Sequence, residues 1–137
     1  TSLWEKMEEM NGHEMDKIHA LFKNQDERLE AKQRIMELGD LSISDSMGTN
    51  LEINAPGVNK GMGLIQLGRL LGIEREEIMA CGDGNNDLMM LKEVGFGVAM
   101  ANGADEVKEV ADYITLSNEE DGVAAAIEKF VLNPERG

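Results

Sequence analysis

The sequence predicts an α/β fold, and three observations carry that reading. From "EIMAC" (77–81) onward, short apolar runs of buried-strand type alternate with helical segments, the rhythm of βαβ units and a parallel sheet. Before Pro56-Gly57 the order is instead strand, helix, strand, strand, an α+β pattern. Composition is globular, with 42% hydrophobic and 29% charged residues, two prolines and no repeat, in a chain of 137 residues, the size of one ordinary domain.

Taken in order, Leu3, Met7 and Met10 recur at helical spacing among glutamates, and Asn11-Gly12 ends that short helix. "DKIHALFK" (16–23) alternates Ile18, Ala20 and Phe22 against Lys17, His19 and Leu21, which predicts a half-buried strand. "NQDERLEAKQRIMELGD" (24–40) reads as a helix that starts near Asn24 or Gln25 and stops at Gly39. "LSISD" (41–45) and "TNLEIN" (49–54) are strands in a hairpin-like arrangement around Ser46-Met47-Gly48. Ala55–Gly57 marks the expected boundary between a segment 1–55 and a segment 56–137.

Beyond that boundary a helix over Lys60–Leu71 is set by Leu64, Leu67 or Gly68, and Leu71, and Gly72 closes it. Then follow "EIMAC" (strand), "NNDLMMLKEV" (helix), "GFGVAM" (strand), "ADEVKEVA" (helix) and "DYITL" (strand). "EDGVAAAIEKFV" is the last helix, opened by acidic residues that suit its dipole.

The formal net charge of −14 argues against a nucleic-acid or anionic-membrane partner, which would require clustered lysine and arginine. Cys81 is the only cysteine, so no internal disulfide forms; this and the lack of a signal-like or membrane-spanning apolar run fit a cytoplasmic protein. The chain opens at Thr1 without a methionine, as a piece of something longer would.

The segment with the most chemical content is "MACGDGNNDLMML" (79–91), where a turn carrying Asp83 and Asp87 lies between two apolar runs. Ligands of open parallel sheets bind beyond the carboxyl ends of the strands, and "IMAC" ends where "GDGNND" begins. Gly82 and Gly84 permit a tight backbone path, and two carboxylates with two asparagine amides supply hard oxygen ligands suited to Mg²⁺. A calcium loop is excluded, because its sixth position is Leu88 instead of glycine and its twelfth is Val94 instead of glutamate. The third glycine of a dinucleotide fingerprint is absent, as is any GxxxxGK[ST]. An ordinary βα turn, with both aspartates capping the helix, remains an alternative from these residues alone.

The order "LEINAPGVNKGMGL…GDGNNDLMML…GFGVAMANG…VKEVADYIT…EDGVAAAI" closely resembles the C-terminal half of Cof-type phosphatases of the haloacid dehalogenase (HAD) superfamily. The resemblance covers residues 50–132; residues 16–53 look like the last part of that group's α/β cap. It implies a partial HAD-type, Rossmann-like parallel sheet plus a partial α+β cap segment. By the same resemblance Asp83 ligates Mg²⁺, and Asp87 supports the metal directly or through water. Asn86 orders the site or touches the phosphate, and Lys60 steadies the nucleophilic carboxylate and the transferring phosphoryl group. The implied substrate is a small phosphorylated metabolite, hydrolysed in the complete protein through an aspartyl-phosphate.

The family's N-terminal DxD motif is missing: aspartates fall at 16, 26, 40, 45, 83, 87, 105, 112 and 121, never two apart. The expectation is a chain inactive alone, with "EIMAC" exposed as a sheet edge that invites self-association. A naturally short, non-catalytic binding or assembly module is the alternative, and a phosphotransferase or phosphomutase on the same scaffold a third option. His13 and His19 match no zinc pattern, Cys81 reads as a core residue, and Trp4 as a packing anchor. Asn102-Gly103 reads as a turn and helix entry without a direct contact to the site.

Overall fold

A computed structural model of the chain describes Glu5, Glu9, residues 16–45 and residues 48–133. Most of the helix expected over 3–10, together with Trp4 and His13, lies outside the described residues.

The first part is a three-stranded antiparallel sheet in the order β1-β3-β2, built from β1 (Ile18–Leu21), β2 (Ser42–Ser44) and β3 (Asn50–Asn54). Ile18 and Ile43 both pair with Ile53, and Ala20 with Leu51, so one face is apolar; Leu51 is fully buried. The opposite face carries His19, Ser42, Ser44, Glu52 and Asn54, because side chains alternate along a strand. Helix α1 (Gln25–Met36) starts at Asn24, whose side chain accepts a hydrogen bond from the Glu27 amide at 2.9 Å. It ends at Glu37, two residues before the expected glycine stop.

Helix α2 spans Lys60–Leu71, as its flanking residues predict. The Asn59 side chain accepts from the Met62 amide at 3.0 Å, and Gly72 closes the helix in the left-handed region at φ 70°. Its packed face matches the expected one in part, since Leu64 packs against the core. Leu67 and Leu71 are 51% and 64% exposed, whereas Gly61 and Gly68 are buried. A methyl group on Gly61 would come within 3.0 Å of the Met89 carbonyl oxygen and the Glu93 Cβ. The glycines thus let the helix backbone approach its neighbours directly, while Leu67 and Leu71 are turned out.

The second sheet is parallel, in the order β4-β5-β6, with β4 (Met79–Gly82), β5 (Phe96–Ala99) and β6 (Tyr113–Ile114). Helix α3 (Leu88–Glu93) connects β4 to β5, and α4 (Asp105–Val110) connects β5 to β6. Ala80, Met90, Leu91, Val94, Ala99 and Val107 form the core between sheet and helices. The last strand is shorter than "DYITL", although the Thr115 amide still donates to the Ala99 carbonyl at 2.9 Å and its hydroxyl to the Gly122 carbonyl at 2.7 Å. Helix α5 (Gly122–Ile127) starts after the acidic residues rather than on them; Glu119 and Glu120 form a separate turn, and Asp121 adopts φ 56°. It then widens into a π-type turn over Glu128–Leu132. No helix among the described residues is long and apolar enough to cross a membrane.

Two features position the site. Strand β4 is an edge, paired on one side by β5 alone among the described residues, and its carboxyl end leads straight into the aspartate turn. The amino end of α2 brings Lys60 to the same place.

Candidate active site

The turn after β4 is folded around one side chain. Asp87 ends a short 3₁₀ turn (Asn85–Asp87) and points back toward the strand it follows. Its Oδ2 accepts hydrogen bonds from the Asp83 and Gly84 amides at 3.1 and 3.3 Å. Its Oδ1 accepts from the Lys60 ammonium in a short ion pair. Gly82 makes this possible: a Cβ there would lie 2.6 Å from the Asp87 Cβ. The Asp87 side chain is 8% exposed and the Lys60 side chain 51%. Burial pushes the Asp87 pKa up, but the Lys60 ammonium and the two backbone amides outweigh it and hold the carboxyl below its ordinary value.

Lys60 borders two cavities. A cavity of about 460 Å³ at the end of β4 is lined by Lys60, Cys81, Gly82, Asp83, Asp87, Met90, Met100, Asn118 and Val123. A larger cleft of about 800 Å³ lies under the small sheet, where Ser42, Ser44, Glu52 and Asn54 face Lys60, Asn85, Asn86 and Met89. Three of the four expected site residues, Lys60, Asp83 and Asp87, therefore share the smaller cavity. Asn86 lines the larger one. The strand-turn-helix pattern brings these residues together; nothing in the sequence signals which cavity each faces.

Burial raises the Cys81 thiol pKa, which disfavours the thiolate a nucleophile would need, although the half-buried side chain lines the smaller cavity. His19 stands on β1, its Nε2 3.1 Å from the Asn50 carboxamide nitrogen. The loop at Asn102-Gly103, which the resemblance sets near the site without a direct contact, does touch it. The Ala104 amide donates to the Asp83 carbonyl at 2.9 Å, and a methyl group on Gly103 would lie 3.1 Å from the Asp83 Cα.

Asp83 is exposed, and its carboxylate makes no hydrogen bond or ion pair among the described residues. No three His, Cys, Asp or Glu side chains among the described residues gather for a metal there. Magnesium takes oxygen ligands, keeps several waters and needs only one or two protein carboxylates. The donor chemistry fits such an ion, with the open Asp83 carboxylate better placed to bind than the committed Asp87.

Comparison with known proteins bears on the whole of this architecture. The 5-amino-6-(5-phospho-D-ribitylamino)uracil phosphatase YcsE of Bacillus subtilis is 45% identical over 125 residues, covering 91% of this chain and 50% of the relative. A phosphoglycolate phosphatase of Methanothermobacter thermautotrophicus is 41% identical over 92 residues, or 67% of this chain and 41% of that protein. The solved structure of a haloacid dehalogenase-like hydrolase from B. subtilis superposes with a TM-score of 0.80 at 30% identity, covering 90% of this chain and 45% of that one. The chain spans about half the length, or less, of these relatives. Residues 4–127 match the family described as haloacid dehalogenase-like hydrolase, and the chain belongs to that family.

Proposed function

We propose that this chain carries the metal-and-lysine half of a Mg²⁺-dependent phosphatase site for a small phosphorylated metabolite. On this reading 1–55 is part of a cap, 56–137 is half of a HAD core of Cof type, and the protein is cytoplasmic. One observation supports it above the others. At the carboxyl end of β4, Lys60 and Asp87 are paired while Asp87 is held on the Asp83 and Gly84 amides.

Each residue then has a task. Asp83 presents a free carboxylate to the metal, which when bound neutralises charge on the phosphoryl oxygens. Asp87 fixes the loop and keeps Lys60 aimed at the cavity. The ammonium offers positive charge to the transferring group, the kind of preorganised electrostatics on which phosphoryl transfer depends. Asn86 faces the cleft under the small sheet, on the substrate's side. The attacking aspartate is not among the nine in this chain, none of which has DxD spacing.

The chain alone should therefore leave p-nitrophenyl phosphate at its background rate in the presence of MgCl₂. Turnover that Asp83→Asn abolishes would show another nucleophile at work and sink that expectation. Supplied with a DxD-bearing segment, the chain should gain activity that Lys60→Ala and Asp83→Asn each remove.

A second reading is a non-catalytic assembly module, which the exposed edge of β4 favours. In either case β4 offers, among the described residues, an open edge of four uncharged residues, Met79–Gly82, with no proline. Self-association is expected in size-exclusion chromatography with light scattering; a monodisperse monomer at high concentration would contradict it.

A further inference from the structure

The cavity at the end of β4 poses a charge problem for any phosphate that enters it. Two of its lining side chains, Asp83 and Asp87, are carboxylates that repel an anion. Among the described residues only two other lining side chains carry strong hydrogen-bond donors: Lys60, already engaged with Asp87, and Asn118. The remaining lining residues are Cys81, Gly82, Met90, Met100 and Val123.

Asn118 comes from the segment between β6 and α5, and the protein holds it in place. Its amide N–H donates to the Asn102 Oδ1 at 2.9 Å. Asn102 in turn belongs to a loop tied to the site itself: Met100 donates to the Gly82 carbonyl and Ala104 to the Asp83 carbonyl, each at 2.9 Å. The Asn118 carboxamide donates to Glu119 Oε1 at 3.4 Å, long enough to be exchanged for a better acceptor.

We propose that Asn118 contacts the phosphoryl group in this cavity, as a neutral donor alongside Lys60, and that Asn102 is the positioning residue that holds it there. The inference rests on the phosphatase reading above and adds two residues to it. A carboxamide suits the place: it donates to an anion without competing with Lys60 for Asp87, and it adds no charge beside the metal.

The test uses inorganic phosphate in MgCl₂, titrated into the chain by calorimetry or followed by ³¹P line broadening, with Mn²⁺ affinity measured separately by electron paramagnetic resonance. Asn118→Ala should weaken phosphate binding about 10-fold, the scale of one hydrogen bond to a charged group, and leave Mn²⁺ affinity unchanged. Asn118→Asp should weaken phosphate further without lowering Mn²⁺ affinity, a split that a purely structural role would not produce. Asn102→Ala should weaken phosphate, and Asn102→Asp, which keeps the acceptor for the Asn118 amide, should restore it. Thermal melts identify any variant that fails through folding, and the exposed Asn118→Asp then decides the matter. Unchanged phosphate affinity in both Asn118 variants overturns the inference and leaves the phosphatase reading standing. Equal losses for phosphate and Mn²⁺ overturn it too. A wild-type chain that binds neither probe overturns both.

Discussion

A methyl group added at Gly97 should cost the fold about 3 kcal/mol, at the upper end of ordinary overpacking. Gly97 is buried in β5, the middle strand of the parallel sheet, and a Cβ there would meet the Leu91 carbonyl oxygen at 2.5 Å and the Leu91 Cβ at 3.1 Å. Backbone cannot swing aside like a long side chain, so α3 would have to lift from the sheet. Gly97 also donates to Asp112 Oδ2 at 2.7 Å and accepts from the Asp112 amide at 2.8 Å, which pins the strand against compensating movement. The melting temperature of Gly97→Ala should fall by about 10 °C. Gly63→Ala is the control. That glycine lies inside α2, and a methyl group there would meet nothing within 4 Å, so alanine should stabilise by about 0.5–1 kcal/mol. Equal melting temperatures for the two variants would refute the packing argument.

Asp87→Ala should destabilise by about 2 kcal/mol, because the Asp83 and Gly84 amides and the Lys60 ammonium lose their shared acceptor. Asp87→Asn should cost less, since one oxygen remains, but it should change the response to acid. The folded pKa of Asp87 lies below its ordinary 3.8. The stabilisation it gives is therefore complete above that value and is lost as the pH falls through the lower folded value. In urea titrations from neutrality downward, the wild type should lose this increment below about pH 4, while the Asn variant should not. Parallel pH profiles would mean that Asp87 is not preferentially ionised in the folded protein.

The fold is legible in the sequence where local chemistry and tertiary packing agree. Asn59 and Gly72 bracket α2 with a cap at each end, and both bounds can be read from the residues. The packed face is legible only in part: Leu64 and Gly68 do pack, but Leu67 and Leu71 are exposed, and the close approach at Gly61 leaves no side chain for periodicity to track. The start of α5 is displaced for a related reason. Acidic residues suit a helix dipole, but Ser117 and Glu120 bond to each other at 2.6 Å and form their own turn first.

At the site, the strand-turn-helix pattern places Asp83 and Asp87 together, and the family resemblance adds Lys60. Asn118 and Asn102 are beyond such reading. They lie 16 residues apart, joined by a side-chain-to-backbone hydrogen bond, and nothing in their local sequence marks that closure.

The ammonium of Lys60 belongs to the wall of both hollows, the small one over β4 and the larger one beneath the antiparallel sheet. An anion in the larger hollow meets Lys17 and Lys32 as well as Lys60, and of these only Lys60 is paired with Asp87. An anion that draws the Lys60 ammonium away from Asp87 loosens the tether of the aspartate loop, and by linkage whatever tightens that loop weakens the hold on the anion.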